Sequence, residues 1–447
     1  YDPVVGGQPT VLRDYGFGIQ GLGSQATIDG VPLIISTWAD DQITATLPPA
    51  DIRPSGNEWQ LMITRDNGVG GTATSLIGLT LTFDGPGTVW RVAPRTATTA
   101  DPLPDPIQEA IDAAAPGDLI LVGPGNYYEN PIMYKALRLQ GVGAATVIRA
   151  NPVPFERVAA WHTKVQSILA GGDPFVANEN PGVLVLGQNA TDFLDHAARV
   201  DGFEMTGSIS GGGVLVYNFA HSIKISNNRL TGNQGLTGGG ISLGLQAAVP
   251  GAVGMLYDNQ DVLITYNQII KNGSVDGSGG ISLVNGAEGY RIIKNHIVGN
   301  FSRLSGGGIG HYGRNRGGLI ANNTIAFNEV FLALATGGDG GGIYIAGEIA
   351  PGGLSGGAGS VTIINNLIQG NLAGSGMGGG IRVNGFNGSD VTASPGDPSA
   401  WYTLDIFNNM IVNNGAGLSG GGISLQDATR VRIVHNTIAR NDCSATA

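Results

Sequence analysis

The side chains best equipped for chemistry gather after three Gly-Gly-Ile triplets, at 307–309, 341–343 and 379–381. Tyr344 and Arg382 directly follow the isoleucine of their triplets, whereas Tyr312 and Asn384 come three residues after theirs. His311, Arg314 and Arg316 stand close by in the first of these segments. Two aromatic rings, guanidinium groups and an amide are the tools for holding a sugar chain or an anionic partner, by stacking and by directed hydrogen bonds. These seven residues are therefore the candidate ligand-binding set.

Other chemistries need groups that this region does not supply. A calcium-dependent lyase requires clustered acids with an Arg or Lys to take the proton. A glycoside hydrolase requires two or three close carboxylates in opposed roles. Asp276 and Asp339 sit in Gly-rich loops and are the only calcium candidates, Asp339 within Gly337-Gly338-Asp339-Gly340-Gly341. A turn-favouring Asp explains both more simply. The six His are dispersed, and the single Cys443 excludes an internal disulfide and any multi-cysteine metal site. No cofactor is expected, calcium being the one open case.

The elements that position these residues come from a repeat. Asn-x-Ile-x-x-Asn, with Leu for Ile in the first copy, begins at Asn228, Asn267, Asn295, Asn323, Asn366, Asn409 and Asn436. Gly-Gly-Ile follows the first six copies. Copies are 27 to 43 residues apart, yet spacing inside the unit never changes, which is the mark of a solenoid with elastic loops. The apolar pieces, such as Val361-Thr-Ile363-Ile, Leu367-Ile368 and Ile381-Arg-Val383, are short and alternate with period two, so they are strands. Stacked about 4.8 Å apart, three strands per turn bury a column of Ile, Leu and Val.

Asn tolerates left-handed backbone at the bends, and its amide bonds main chain, so the seven leading Asn are expected to form a structural ladder. Gly, 75 of 447 residues and over twice the usual share of about 7%, fits where no Cβ is tolerated against the next coil. On the strand opened by Gly-Gly-Ile, two outward columns follow. One reads Ser242, Ser282, Gly310, Tyr344, Arg382, Ser424, and the other Gly244, Val284, Tyr312, Ala346, Asn384, Gln426.

Ahead of the repeat, residues 1–84 have a different grammar of short strands and turns that predicts a small β-sandwich. Its Phe17-Gly18, Ala26-Thr-Ile-Asp-Gly30 and Trp38-Ala-Asp-Asp-Gln-Ile43 resemble an IPT/TIG immunoglobulin-like domain, which implies a spacer or binding unit. Residues 85–104 read as a linker. Asp105-Pro106 and Gln108 open a short helix that would cover the solenoid end. Gly117–Glu129 and Ala136–Gly143 resemble the opening coils of right-handed parallel β-helix proteins, a superfamily including pectate lyases and pectin methylesterases. In polysaccharide-active members the Gly-Gly-Ile strand face would form the substrate groove. The β-helix spans 105–447, with an irregular insertion at 151–199 and an uncapped last coil that is expected to continue or to abut a partner.

Composition narrows the function classes. Charged residues are 13%, and 34 acids against 23 bases give −11, the wrong balance for nucleic acid. No apolar run of about 18 residues spans a bilayer. The chain opens at Tyr1 without Met, as a mature or trimmed fragment would. The expectation is an all-β, secreted or cell-surface module, a rigid non-catalytic rod whose partners are other protein domains or subunits and glycans. The alternative is a polysaccharide lyase or hydrolase acting on an acidic glycan.

Overall fold

The computed structural model describes residues 17–66, 71–75, 77–99, 101–151, 155–169, 179–189, 191–194, 197–244, 259–331, 338–348 and 353–444. The chain divides into two compact units, Tyr1–Gly85 and Pro86–Ala447. In the first, Glu58–Asp66 is the centre of an antiparallel sheet with Gln25–Ile28, Thr72–Thr74 and Leu79–Thr82, and Ile34–Trp38 pairs with Ile43–Thr46 as a separate hairpin. Trp59 stacks on Phe83 over its small core.

The second unit is a right-handed parallel β-helix. Three parallel sheets run its length, of eleven, ten and nine strands, and a fourth of seven strands begins at Gln234. The sequence predicted three strands per coil. The fourth is a two-residue strand directly after the second Asn, such as Gly273–Ser274, too short for a period to register. The segment expected as a linker contains Val89–Val92, which pairs in parallel with Leu119–Val122 and so opens the first sheet.

Register explains the repeat. Ile225, Ile264, Ile292, Ile320, Ile363 and Ile406 stack in one sheet, and Leu230, Ile269, Ile297, Ile325, Ile368 and Ile411 in the next. Ile241, Ile281, Ile309, Ile343 and Ile381 form the third column. All are fully buried, and each contributes about 2–3 kcal/mol of transfer free energy. The glycines before the third column permit the approach: a Cβ on Gly240 would lie 2.5 Å from the Gly280 carbonyl oxygen, and one on Gly280 would lie 2.3 Å from that of Gly308.

The leading Asn form the expected ladder. Asn267 donates its backbone N–H and its amide to Asn295 Oδ1, each at 3.0 Å, and its amide also reaches the Ile225 carbonyl. Asn295, Asn323, Asn366 and Asn409 repeat this to Asn436. The second Asn of the motif builds an unanticipated parallel ladder from Asn233 to Asn441. The residue before each leading Asn has positive φ, whether Asn227, Tyr266, Lys294 or His435. The bend thus dictates a left-handed conformation regardless of residue type.

One helix, α1 (Pro106–Ala113), closes the N-terminal end, burying Ile107 and Ile111 against the core of the first coils. Asp105 occupies the N-cap position without a side-chain bond, and Gln108 does not close a capping box. The cap comes instead from Glu129, whose carboxylate accepts from the N–H groups of Ile107 and Gln108. Residues 151–199 hold a second helix, α2 (Phe155–Ile168), and then a regular strand, Val183–Leu186, so the coil rhythm resumes inside the predicted insertion. Asp195 and His196, in the same segment, lie outside the described residues.

Candidate functional site

The nine-stranded sheet carries the candidate groove, and its outward columns follow the predicted register. Ser242, Ser282, Gly310, Tyr344, Arg382 and Ser424 are successive partners, as are Val284, Tyr312, Ala346 and Asn384. At the N-terminal end of this sheet the same face is apolar. Ile132, Leu184, Leu186, Leu215 and Tyr217 are buried beneath α2, which contributes Trp161 and Val165. Trp161 Nε1 donates to the Asn130 carbonyl and fixes the helix on the sheet. This cover was not legible from the sequence, since a helix lying on the outside of a solenoid leaves no trace in the coil pattern.

Tyr312 and Tyr344 form a tilted pair with ring centroids 5.6 Å apart. The Tyr312 ring folds over Gly310, where a Cβ would fall 2.5 Å from it, and its hydroxyl donates to the Ser305 carbonyl. Burial raises the Tyr312 phenol well above its ordinary range. Tyr344 is more open. Burial raises its phenol too, with the Asp339 charge adding to the shift, while the Asn384 side chain and the Arg382 charge act the other way.

Arg382 is almost fully buried and has three partners: Asp339 Oδ2 at 3.4 Å from Nε, Ser424 Oγ at 3.0 Å and Gln426 Oε1 at 2.7 Å. Its guanidinium is positioned rigidly and its charge is answered by Asp339. Asp339 also accepts from the Met377 N–H, and Asp276 is paired with Arg303 at 2.7 Å. Each calcium candidate is thus paired with an arginine. Among the described residues, no group of three or more His, Cys, Asp or Glu is placed to hold a metal ion.

Three members of the predicted binding set stand apart from the groove floor. His311 points inward, wholly buried, because it occupies the interior position held by Leu283 and Ile345 on the adjacent coils. Its Nδ1 faces the Tyr290 hydroxyl at 3.0 Å and its Nε2 faces the Gly313 and Ala358 carbonyls at 3.0 Å. Two carbonyl acceptors put the proton on Nε2, so Nδ1 accepts from the phenol. Burial lowers this imidazole to about 4, which keeps it neutral. Arg316 is exposed and paired with Glu288 at 2.7 Å. Arg314 is exposed just beyond the Tyr312 strand, its N–H held by Asn285 Oδ1. The sequence missed Gln426 as an Arg382 partner, although its place in the second column was the available signal.

What the sheets define is a parallel β-helix protein with an aromatic and polar patch on one outer face. No family model matches the chain, and no curated protein does. Solved structures similar to it include a family 28 exopolygalacturonase from Yersinia enterocolitica (10% identity, 93% of each chain covered, TM-score 0.35) and an alginate lyase from Paenibacillus sp. str. FPU-7 (11% identity, 78% of this chain and 99% of the other, TM-score 0.34). The A-module of a mannuronan C-5 epimerase from Azotobacter vinelandii is also similar (14% identity, 80% and 94% covered, TM-score 0.30).

Proposed function

We propose that this chain is a secreted or cell-surface protein that binds and cleaves an acidic polysaccharide laid across the coils at Tyr312, Tyr344, Arg382 and Asn384. The observation that carries the reading is the continuity of rings, guanidinium and amide on adjacent coils of one sheet face. Tyr344 offers an apolar ring for sugar C–H faces and a phenol proton that passes to the leaving oxygen as the C–O bond breaks, water supplying the hydroxyl to the sugar carbon and returning its second proton to the phenolate. Arg314, exposed beside the strand, offers charge to a sugar carboxylate. The Asp339, Ser424 and Gln426 contacts of Arg382 keep the floor rigid, the condition under which binding energy goes into orientation.

A second reading rests on one specific observation: Arg382 already has three partners, Asp339 answering its charge, and the groove holds no carboxylate pair among the described residues. On that reading the rod displays and spaces partner domains without turnover. The two are separated by incubating the protein with a panel of acidic polysaccharides, with and without calcium, while measuring chain length and retention on immobilised glycan. Turnover that Tyr344→Phe abolishes without loss of retention supports cleavage. Retention with no turnover anywhere in the panel leaves the non-catalytic module, and the absence of both sinks the glycan reading.

A further inference from the structure

A separate cavity of about 160 Å³ lies at the N-terminal mouth of the β-helix, between the 95–104 segment, the start of α1 and the corner at Tyr127–Glu129. We propose that it binds a single sugar ring bearing a carboxylate, independently of the groove. Its size suits one small ring rather than a polymer, since pockets for drug-sized ligands run from about 300 Å³ upward. Pro102, Pro104 and the half-exposed ring of Tyr128 line it, offering flat apolar surface to the C–H face of a pyranose.

The charge lining the cavity selects a carboxylate. Arg157, reaching in from α2, is anchored by Nη1 to the Tyr128 carbonyl at 2.7 Å and by Nη2 to the Pro104 carbonyl at 2.9 Å. Two of its five N–H donors are thereby used, its buried Nε has no partner, and among the described residues the guanidinium takes part in no ion pair. The second arginine of the cavity, Arg95, is consumed by Glu109 and Asp101. Glu129 forms the inner wall, only 2% exposed and bound to the α1 N-terminus. Burial pushes this carboxyl up to about 8, and burial likewise raises half-buried Asp105, the other acid facing Arg157. Each carboxyl so raised holds its charge less readily, which weakens its claim on the Arg157 guanidinium. An anchored guanidinium with free N–H groups is the planar fork that binds a carboxylate.

Calorimetric titration with glucuronate and with glucose, which differ only at C6, tests this. The expected result is glucuronate binding at about 1 mM, glucose binding at least about tenfold weaker, and loss of the preference in Arg157→Met. Tyr128→Ala, at an exposed position that leaves the fold intact, weakens both sugars. In a Tyr344→Ala background the effects of Arg157→Met and Tyr128→Ala persist, which separates this site from the proposed function. Equal binding of both sugars, an unaffected Arg157→Met, or no binding at all overturns the proposal. Should Arg157→Met lower the thermal midpoint, Tyr128→Ala alone decides the outcome.

Discussion

The Tyr290 hydroxyl donates to Nδ1 of His311 at 3.0 Å deep inside a column otherwise built of Leu, Ile and Val. Both side chains are fully buried, and the rings meet edge on at 5.7 Å. One coil thus replaces hydrocarbon by a closed polar pair whose second nitrogen is answered by two carbonyls.

His311→Leu restores the aliphatic character of the column yet orphans the Tyr290 hydroxyl. A buried unsatisfied group costs about 1–3 kcal/mol. The single variant is expected to lower stability by that amount, and His311→Leu with Tyr290→Phe to recover most of it. A double-mutant cycle from urea unfolding reads the coupling, and strictly additive losses would show that the two residues do not act as a pair.

Because burial holds the His311 imidazole near 4, against an ordinary 6.5, the unfolded chain binds the extra proton between those values. The resulting stability is present above about pH 6.5 and is lost as pH falls toward 4, by at most about 3 kcal/mol. The pH dependence of the thermal midpoint in this acid window is expected to flatten in the variant that combines His311→Leu with Tyr290→Phe.

Glu129 has the opposite slope. Its folded value near 8 lies above the ordinary 4.5, so its contribution is intact below about pH 4.5 and is lost as pH rises through 8. Glu129→Gln removes this dependence between about pH 4.5 and 8 while giving up one of two cap bonds to α1, a loss of about 1 kcal/mol at low pH. An unchanged slope across that window in the variant would contradict the assignment.

The Asn ladder should weigh position over identity. Asn295 accepts from Asn267 twice and donates to Ile264, Ile293 and Asn323, all in the interior of the rod. Asn295→Ala is expected to cost about 2–4 kcal/mol. Asn436→Ala, at a half-buried position, should cost about 1 kcal/mol because water replaces its bonds. Hydrogen exchange at the Asn267 and Asn409 amides reports each loss locally.

Lys271 holds φ at 54° at an exposed bend where neighbouring coils place Gly232 and Gly299. Left-handed backbone costs a residue with a Cβ about 1–2 kcal/mol. Lys271→Gly is expected to be neutral to stabilising by up to about 1 kcal/mol, since glycine loses more entropy on folding. A marked fall in the thermal midpoint would mean that Lys271 makes contacts beyond its bend.

The coils were legible because each core position recurs. Ile225, Ile264 and Ile292 solve the same packing problem, so period and register could be read from spacing, and the outward columns with them. What recurs only once was hidden. His311 looked like a flanking ligand because the inward alternation that buries it was outweighed by its chemical type. Glu129 takes the cap from Asp105 by reaching back to an N–H 21 residues away, at Gln108, and α2 covers the early coils through residues with no repeat partner. Arg382 was placed correctly on its column, but its neutralisation by Asp339 depends on a loop whose path spacing does not encode.

The handover of Asn267 to Asn295 and of Asn295 to Asn323, each step 28 residues along the chain, makes those coils interchangeable units. Excising one whole period would bring Asn267 directly onto Asn323 with every ladder and column still in phase, whereas losing a single residue inside the Asn-x-Ile-x-x-Asn unit, rather than in an elastic loop, would break the register of that coil. The coil core is therefore quantised in whole turns by its own amides, while the loops absorb any other change in length.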